Sequence, residues 1–191
     1  MSSVRSALAR ALQDATGVPP NAHTLNVLSA QVSLETAGGQ QMFNFNFGGI
    51  KGASPQGDTA TYMTREVLGG KDMHLAQGFR AYSSLDAGAR DYIAVLRARF
   101  PGAFAQASAG NIDGFAHALK QAHYYTAPEA EYAAGLRHAA GAAASAAGAA
   151  GSAGGALEAP PTEFSTSAEL SRVLDAVAST AARIADPDPK E

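Results

Sequence analysis

The chain lacks cysteine, is poor in charged residues and has no long apolar run. Without cysteine it can form no disulfide, offer no thiolate nucleophile and hold no cysteine-ligated metal. Charged residues make up 16% and the formal net charge is −3, so the chain has no basic footprint for nucleic acid or for an anionic membrane surface. The five histidines are not spaced as metal ligands are. The composition therefore predicts no metal, no cofactor and no nucleic-acid partner.

No segment of the sequence predicts export or membrane insertion. Residues 1–17 hold no apolar run long enough for the central region of a signal peptide. Nowhere do about 18 apolar residues follow one another, as a membrane-spanning helix requires. We therefore expect a chain that is synthesised in the cytoplasm, without a signal peptide and without a membrane span.

Composition divides the chain into three parts. Large aliphatic and aromatic residues concentrate before residue 138, which predicts one domain over residues 1–138. Alanine, glycine and serine dominate residues 139–164, and the repeated glycines favour a flexible linker. Residues 165–186 predict an amphipathic helix that docks on its own domain, on a partner or on another copy. Its apolar stripe consists of Leu170, Val173, Leu174, Val177, Ala181 and Ile184.

Periodicity and capping residues predict the elements of the first domain. A helix covers residues 3–16, and Asn21 can cap a second helix that ends at Glu35. Residues rich in β-formers on both sides of a glycine turn predict a β-hairpin over residues 59–82. Gly78 in its second strand suggests a β-bulge.

Further elements follow the same signals. The alternation of phenylalanine and asparagine over residues 43–47 is typical of a short strand. Ser83 or Ser84 can cap a helix that ends near Arg99, before Pro101. Asn111 can cap another helix.

One carboxylate stands out in the second helix. Leu28, Val32 and Glu35 follow one another at steps of four and three, so they share the helix face that carries the apolar stripe. A carboxyl group on that face should lose part of its hydration, which disfavours the ionised form and suits a general acid. The alternative is a solvated glutamate in a last helical turn.

Other candidate residues are ambiguous from their spacing alone. Glu66 falls on the polar face of the first hairpin strand and Asp91 lies off the buried stripe of its helix, so both patterns are typical of solvated acids. Tyr124 and Tyr125 fit packing as well as binding.

Ordered motifs, however, resemble one known family. They are Leu34-Glu35-Thr36 before a glycine, Asn46-Phe47-Gly48-Gly49-Ile50-Lys51-Gly52, Thr64-Arg65-Glu66-Val67, Phe79-Arg80-Ala81-Tyr82-Ser83-Ser84-Leu85 with Asp91-Tyr92, and Ala122-His123-Tyr124-Tyr125-Thr126-Ala127-Pro128 with Tyr132 and Leu136. Together they resemble the peptidoglycan glucosaminidases of glycoside hydrolase family 73, which include the hydrolase domain of the flagellar rod-cap protein. The resemblance covers roughly residues 20–138, in order.

The resemblance implies a fold, an activity and a set of site residues. The fold is mainly α, a lysozyme-like α+β fold in which a helical lobe and a small β-hairpin lobe flank a saccharide groove. The activity is cleavage of the β-1,4 glycosidic bond after N-acetylglucosamine in peptidoglycan glycan strands, with Glu35 as general acid and Glu66 as second carboxylate. The implied substrate-binding residues are Tyr124, Asp91, Phe47, Asn46 and Tyr125.

Several alternatives remain open at this point. A muramidase or lytic transglycosylase would use Glu35 alone, and a wall-binding or assembly module would keep the groove without turnover. An inverting, retaining or substrate-assisted mechanism depends on a carboxylate separation that the sequence does not give. A cell-wall substrate also implies action in the periplasm or wall after delivery or lysis, as for a phage enzyme or a secreted effector with a delivery or immunity partner.

Overall fold

The computed structural model describes residues 2–56, 58–68 and 71–151, and for residues 2, 64–68, 71–73 and 143–151 it describes the backbone alone. The docking helix predicted over residues 165–186 and linker residues 152–164 lie outside the described residues. The described helices are α1 (Ser2–Thr16), α2 (Ala22–Glu35), α3 (Leu85–Arg99), α4 (Pro101–Ser108), α5 (Ile112–Gln121) and α6 (Glu129–Gly151). The strands are β1 (Thr59–Leu68) and β2 (Lys71–Arg80).

The helices form the lobe that contains the core. α1 packs on α3, α2 on α6, and α5 on both α4 and α6. The Asn21 side chain accepts a hydrogen bond from the Thr24 backbone N–H, which confirms the predicted cap of α2. Leu28 and Val32 are fully buried, so the predicted stripe of α2 is the side that faces the core.

The second lobe is the predicted hairpin. β1 and β2 pair antiparallel in one uninterrupted register, from Thr59 opposite Arg80 to Leu68 opposite Lys71. The prediction of a β-bulge at Gly78 is therefore wrong. This glycine is explained by crowding, because a Cβ atom there would lie 3.0 Å from the Thr59 methyl carbon. Within the described residues the fold is mainly helical with one two-stranded sheet, as predicted.

The segment between α2 and β1 is irregular where a short strand was expected. It contains two 3-10 turns, Ala37–Gly39 and Phe43–Phe45. Asn44 and Phe45 have φ values of 48° and 54°, in the left-handed region where a strand cannot continue. The short strand predicted from the alternation of phenylalanine and asparagine is therefore wrong. The left-handed backbone at Asn44 and Phe45 interrupts an extended conformation, whatever the side-chain pattern.

Two helices differ from the predictions. Pro101 ends α3 but also begins α4, because a proline at the first helical position loses no intrahelical hydrogen bond. α6 continues through Gly151, so residues 139–151 are helical where the sequence predicted a linker. Ala139 and Ala140 pack against the core, and extending an existing helix through alanine costs little. No helix in the described part of the chain is long and apolar enough to cross a membrane.

Candidate active site

Glu35 lies at the C-terminal end of α2, among tyrosine hydroxyls. The Tyr132 hydroxyl, from α6, donates a hydrogen bond to Glu35 Oε1 at 3.0 Å. The Tyr124 side chain, from the segment before α6, forms a second hydrogen bond with the Glu35 carboxyl group. Both tyrosines are buried, whereas Glu35 as a whole residue keeps partial exposure. The carboxyl group therefore lies among buried tyrosine hydroxyls, while the residue that carries it keeps some contact with solvent.

This environment changes the acidity of Glu35. Burial raises the pKa of Glu35 from 4.5 to about 8, although the hydrogen bonds from Tyr132 and Tyr124 act in the opposite direction. The carboxyl group thus keeps its proton near neutral pH. A carboxyl group that is still protonated near neutral pH is able to donate that proton to a leaving oxygen.

A buried amide lies behind this pair. Gln31, one helical turn before Glu35, has no exposed surface. Its Oε1 accepts a hydrogen bond from the Tyr92 hydroxyl of α3, and its Nε2 donates to the Tyr132 hydroxyl oxygen at 3.4 Å. Three helices that are distant in the sequence are therefore joined by one hydrogen-bonded chain that ends at Glu35.

Tyr125 supports the same cluster from the outside. Its ring stacks on the Tyr132 ring, with centroids 3.9 Å apart and planes inclined by 17°. Its hydroxyl donates to the Ala116 carbonyl oxygen at 3.0 Å. Tyr125 therefore holds the ring of Tyr132, and its own hydroxyl group is directed toward α5.

A match between this chain and the model of one protein family shows the family to which the chain belongs. The model of the glucosaminidase family, described as mannosyl-glycoprotein endo-beta-N-acetylglucosaminidase, matches residues 6–143. The chain belongs to the glucosaminidase family. It is therefore a glycoside hydrolase, and the family resemblance of its motifs is confirmed.

Relatives of this glucosaminidase are known in sequence and in structure. Peptidoglycan hydrolase FlgJ of Pseudomonas aeruginosa is 34% identical over 110 residues, which cover 53% of this chain but only 28% of that protein. The glycoside hydrolase domain of Salmonella typhimurium FlgJ is 27% identical with a TM-score of 0.51, over 72% of this chain and 91% of that domain. The catalytic domain of the autolysin Auto from Listeria monocytogenes is 20% identical with a TM-score of 0.57, over 74% and 80% of the two chains. The expected lysozyme-like fold is confirmed by these likenesses.

Three predicted binding residues of the glucosaminidase make their contacts within the protein. The Asp91 carboxylate accepts hydrogen bonds from Arg80 Nη1 at 2.9 and 3.2 Å and another from the Tyr82 hydroxyl. The Asn46 side-chain amide donates hydrogen bonds to the carbonyl oxygens of Ile50 and Arg80. Its oxygen accepts one from the Ile50 backbone N–H. Phe47 is fully buried. These contacts shape the segment beside Glu35, and any direct contact with a sugar stays a prediction.

The second predicted acid, Glu66, is described by its backbone alone. It lies in β1 opposite Met73, in the third pair from the hairpin turn. Its side chain lies outside what the structure describes, so its role remains a prediction. In the described part of the glucosaminidase, no three histidine or acidic side chains form a group that could hold a metal ion.

Two residues of the site were missed as site residues. The sequence motifs include Tyr132 without giving it a role, and they do not include Gln31. Gln31 is separated from Glu35 by one helical turn, which is the spacing that places two side chains on one helix face. This spacing from Glu35 was the available signal.

The raised pKa of Glu35 predicts that Glu35→Gln stabilises the enzyme at alkaline pH. Below pH 4.5 the carboxyl group is protonated in the folded and in the unfolded state, so the raised pKa does not lower the free energy of unfolding. Between pH 4.5 and about 8 only the unfolded state releases the proton, so the free energy of unfolding falls as pH rises. We expect Glu35→Gln to gain on the order of 2 kcal/mol at pH 8 relative to pH 4.5, an amount already reduced for partial exposure.

Urea unfolding of both proteins at the two pH values measures this gain. Glu131→Gln, in an exposed position of α6, is the matched control and should show no such pH dependence. A stability difference between wild type and Glu35→Gln that does not change with pH would contradict a buried neutral carboxyl group.

Proposed function

We propose that this glucosaminidase is a peptidoglycan hydrolase that cleaves the β-1,4 glycosidic bond after N-acetylglucosamine, with Glu35 as the proton donor. The observation that carries the proposal is the enclosed Glu35 carboxyl group, whose pKa is raised to about 8 at the end of α2. The substrate class is supported by the names of the relatives, which include peptidoglycan hydrolases and an autolysin. Such a substrate places its action at the cell wall.

The reaction needs a proton donor and a second group that stabilises positive charge or activates water. Glu35 transfers its proton to the glycosidic oxygen as the bond to the anomeric carbon breaks, so the leaving sugar departs as a neutral alcohol. Positive charge then develops on the remaining sugar ring. We propose that Glu66 supplies the second carboxylate, which stabilises this charge or activates the attacking water. Its position on the hairpin would allow the smaller lobe to contribute that group.

Exposed aromatic rings near the root of the hairpin support saccharide binding. The side chain of Phe43 is 56% exposed and its ring centroid lies 5.2 Å from that of Tyr62 in β1. Phe45 is also partly exposed, at 38%. Flat apolar rings that stay in contact with water offer stacking surfaces for the faces of pyranose rings.

The proposal is tested by incubating purified sacculi with the wild-type protein, Glu35→Gln, Glu66→Gln and the control Glu131→Gln, followed by mass analysis of the released fragments. We expect fragments with N-acetylglucosamine reducing ends from the wild type and the control, and release from Glu35→Gln that is slower by about 10²- to 10⁴-fold. Release by Glu66→Gln should be strongly reduced. Muramic acid or anhydro-muramic ends would overturn the bond assignment, and no release by the wild type would overturn the hydrolase proposal.

A further inference from the structure

The hydrogen-bonded chain behind Glu35 has a defined direction. A glutamine amide carries an acceptor oxygen at one side and donor N–H groups at the other. The Tyr92 hydroxyl can only donate to Gln31 Oε1, which turns the Nε2 group of Gln31 toward Tyr132. The amide nitrogen then lies 3.4 Å from the Tyr132 hydroxyl oxygen, to which it donates.

The orientation of Gln31 limits what the Tyr132 hydroxyl can do. A tyrosine hydroxyl has one proton to donate and oxygen lone pairs that accept. Because the Gln31 amide donates to that oxygen, the single hydroxyl proton of Tyr132 points away from Gln31. It is donated to Glu35 Oε1, 3.0 Å from the hydroxyl oxygen. Gln31 itself is fully buried.

We propose that Gln31 is a positioning residue of the active site, which holds the Tyr132 hydroxyl as a donor to Glu35 Oε1 and not as an acceptor of the acid proton. This inference deepens the proposed function and rests on Glu35 being the proton donor. Gln31 touches no reacting atom. Its effect passes through Tyr132, which it prevents from accepting the proton of the neutral carboxyl group.

The groups that face Glu35 do not titrate together with it. Among the described side chains they are Tyr92 from α3, Tyr124 from the segment before α6 and Tyr132 from α6. Burial raises the pKa of all three tyrosines well above 10, so they stay neutral while Glu35 ionises. A change at Gln31 therefore acts on Glu35 through hydrogen bonding and not through a second ionisation.

The decisive variant is Gln31→Met, which keeps an unbranched side chain of similar length but cannot donate or accept as the amide does. The freed Tyr132 hydroxyl is then able to accept from the neutral Glu35 carboxyl group, which favours the protonated form. We expect the pKa of Glu35 to rise by about half to one unit. The alkaline limb of kcat on sacculus fragments should move up by the same amount, with kcat lowered severalfold and KM unchanged.

Two readouts and two controls separate positioning from a general loss of structure. The titration of the Glu35 carboxyl carbon by NMR reports its pKa without any turnover. In a Tyr132→Phe background, Gln31→Met should add no further shift, since the hydroxyl through which it acts is gone. Val27→Ala, a buried change in α2 outside the hydrogen-bonded chain, should lower stability without moving the titration.

Each outcome bears on one proposal. A shift that appears in the wild-type background and vanishes with Tyr132→Phe supports the role of Gln31. An unmoved titration, an equal shift in both backgrounds, or a similar shift in Val27→Ala overturns it. If the titration moves as expected but the wild type releases nothing from sacculi, the orienting role of Gln31 stands and the proposed function fails.

Discussion

Glu35→Gln should lower kcat for glycan cleavage by about 10²- to 10⁴-fold, the range that general acid catalysis contributes. Glutamine has nearly the same shape and accepts the same hydrogen bond from Tyr132, whose hydroxyl lies 3.0 Å from Oε1. It has no proton to give to the leaving oxygen. KM should therefore change little, since what is lost is an interaction made only as the glycosidic bond breaks.

The pH dependence identifies the group that is lost. The wild-type rate should fall with rising pH above about 8, because the pKa of Glu35 lies there and only the protonated form donates. The fall should approach tenfold per pH unit. The residual rate of Glu35→Gln should lack this alkaline limb. Initial rates on soluble glycan fragments between pH 5 and 10 measure both profiles, and an alkaline limb that persists in the variant would assign the acid to another group.

Asp91→Asn should cause a large loss of stability. The Asp91 side chain is 8% exposed and that of Arg80 12%, so this ion pair is almost removed from water. Replacing the carboxylate leaves the Arg80 guanidinium buried beside a neutral amide, and the Tyr82 hydroxyl loses its charged acceptor. Breaking a buried pair by removing one partner costs about 3–5 kcal/mol. Urea unfolding at neutral pH should show a loss of this size.

An exposed ion pair provides the matched control. Asp113 pairs with Arg137 between α5 and α6, but both side chains are more than half exposed. Asp113→Asn makes the same chemical change where water screens the charges, so its cost should be a small fraction of that at Asp91. Equal losses for the two variants would contradict the structural role assigned to the buried pair. A KM that rises in Asp91→Asn, measured well below its unfolding temperature, would restore Asp91 as a sugar contact.

Much of this architecture was predictable because its signals are local. The cap at Asn21, the stripe that leads to Glu35 and the hairpin around residues 59–82 all depend on neighbours within a few positions. The partial loss of hydration at Glu35, which raises its pKa, also followed from its place on an apolar helix face. Ordered motifs then assigned the family, which the match over residues 6–143 confirms.

Properties that depend on distant partners were not predictable in the same way. Asp91 has the spacing of a solvated residue, and it is buried because Arg80 from the hairpin neutralises its charge. Gln31 has partners 61 and 101 residues away, so no window of sequence contains them together. The helical state of residues 139–151 depended on alanines that meet the core, where composition alone favoured a linker.

The tyrosine cluster has a spectroscopic consequence. The chain has six tyrosines and no tryptophan, so its ultraviolet emission comes from phenol rings alone. Two of the six tyrosines form hydrogen bonds with one carboxyl group. A phenol that is bonded to a carboxylate loses emission, because its excited state transfers the proton to that acceptor. We therefore expect ionisation of Glu35 to lower the native fluorescence of the enzyme, which would make the tyrosines an intrinsic, label-free reporter of the Glu35 proton.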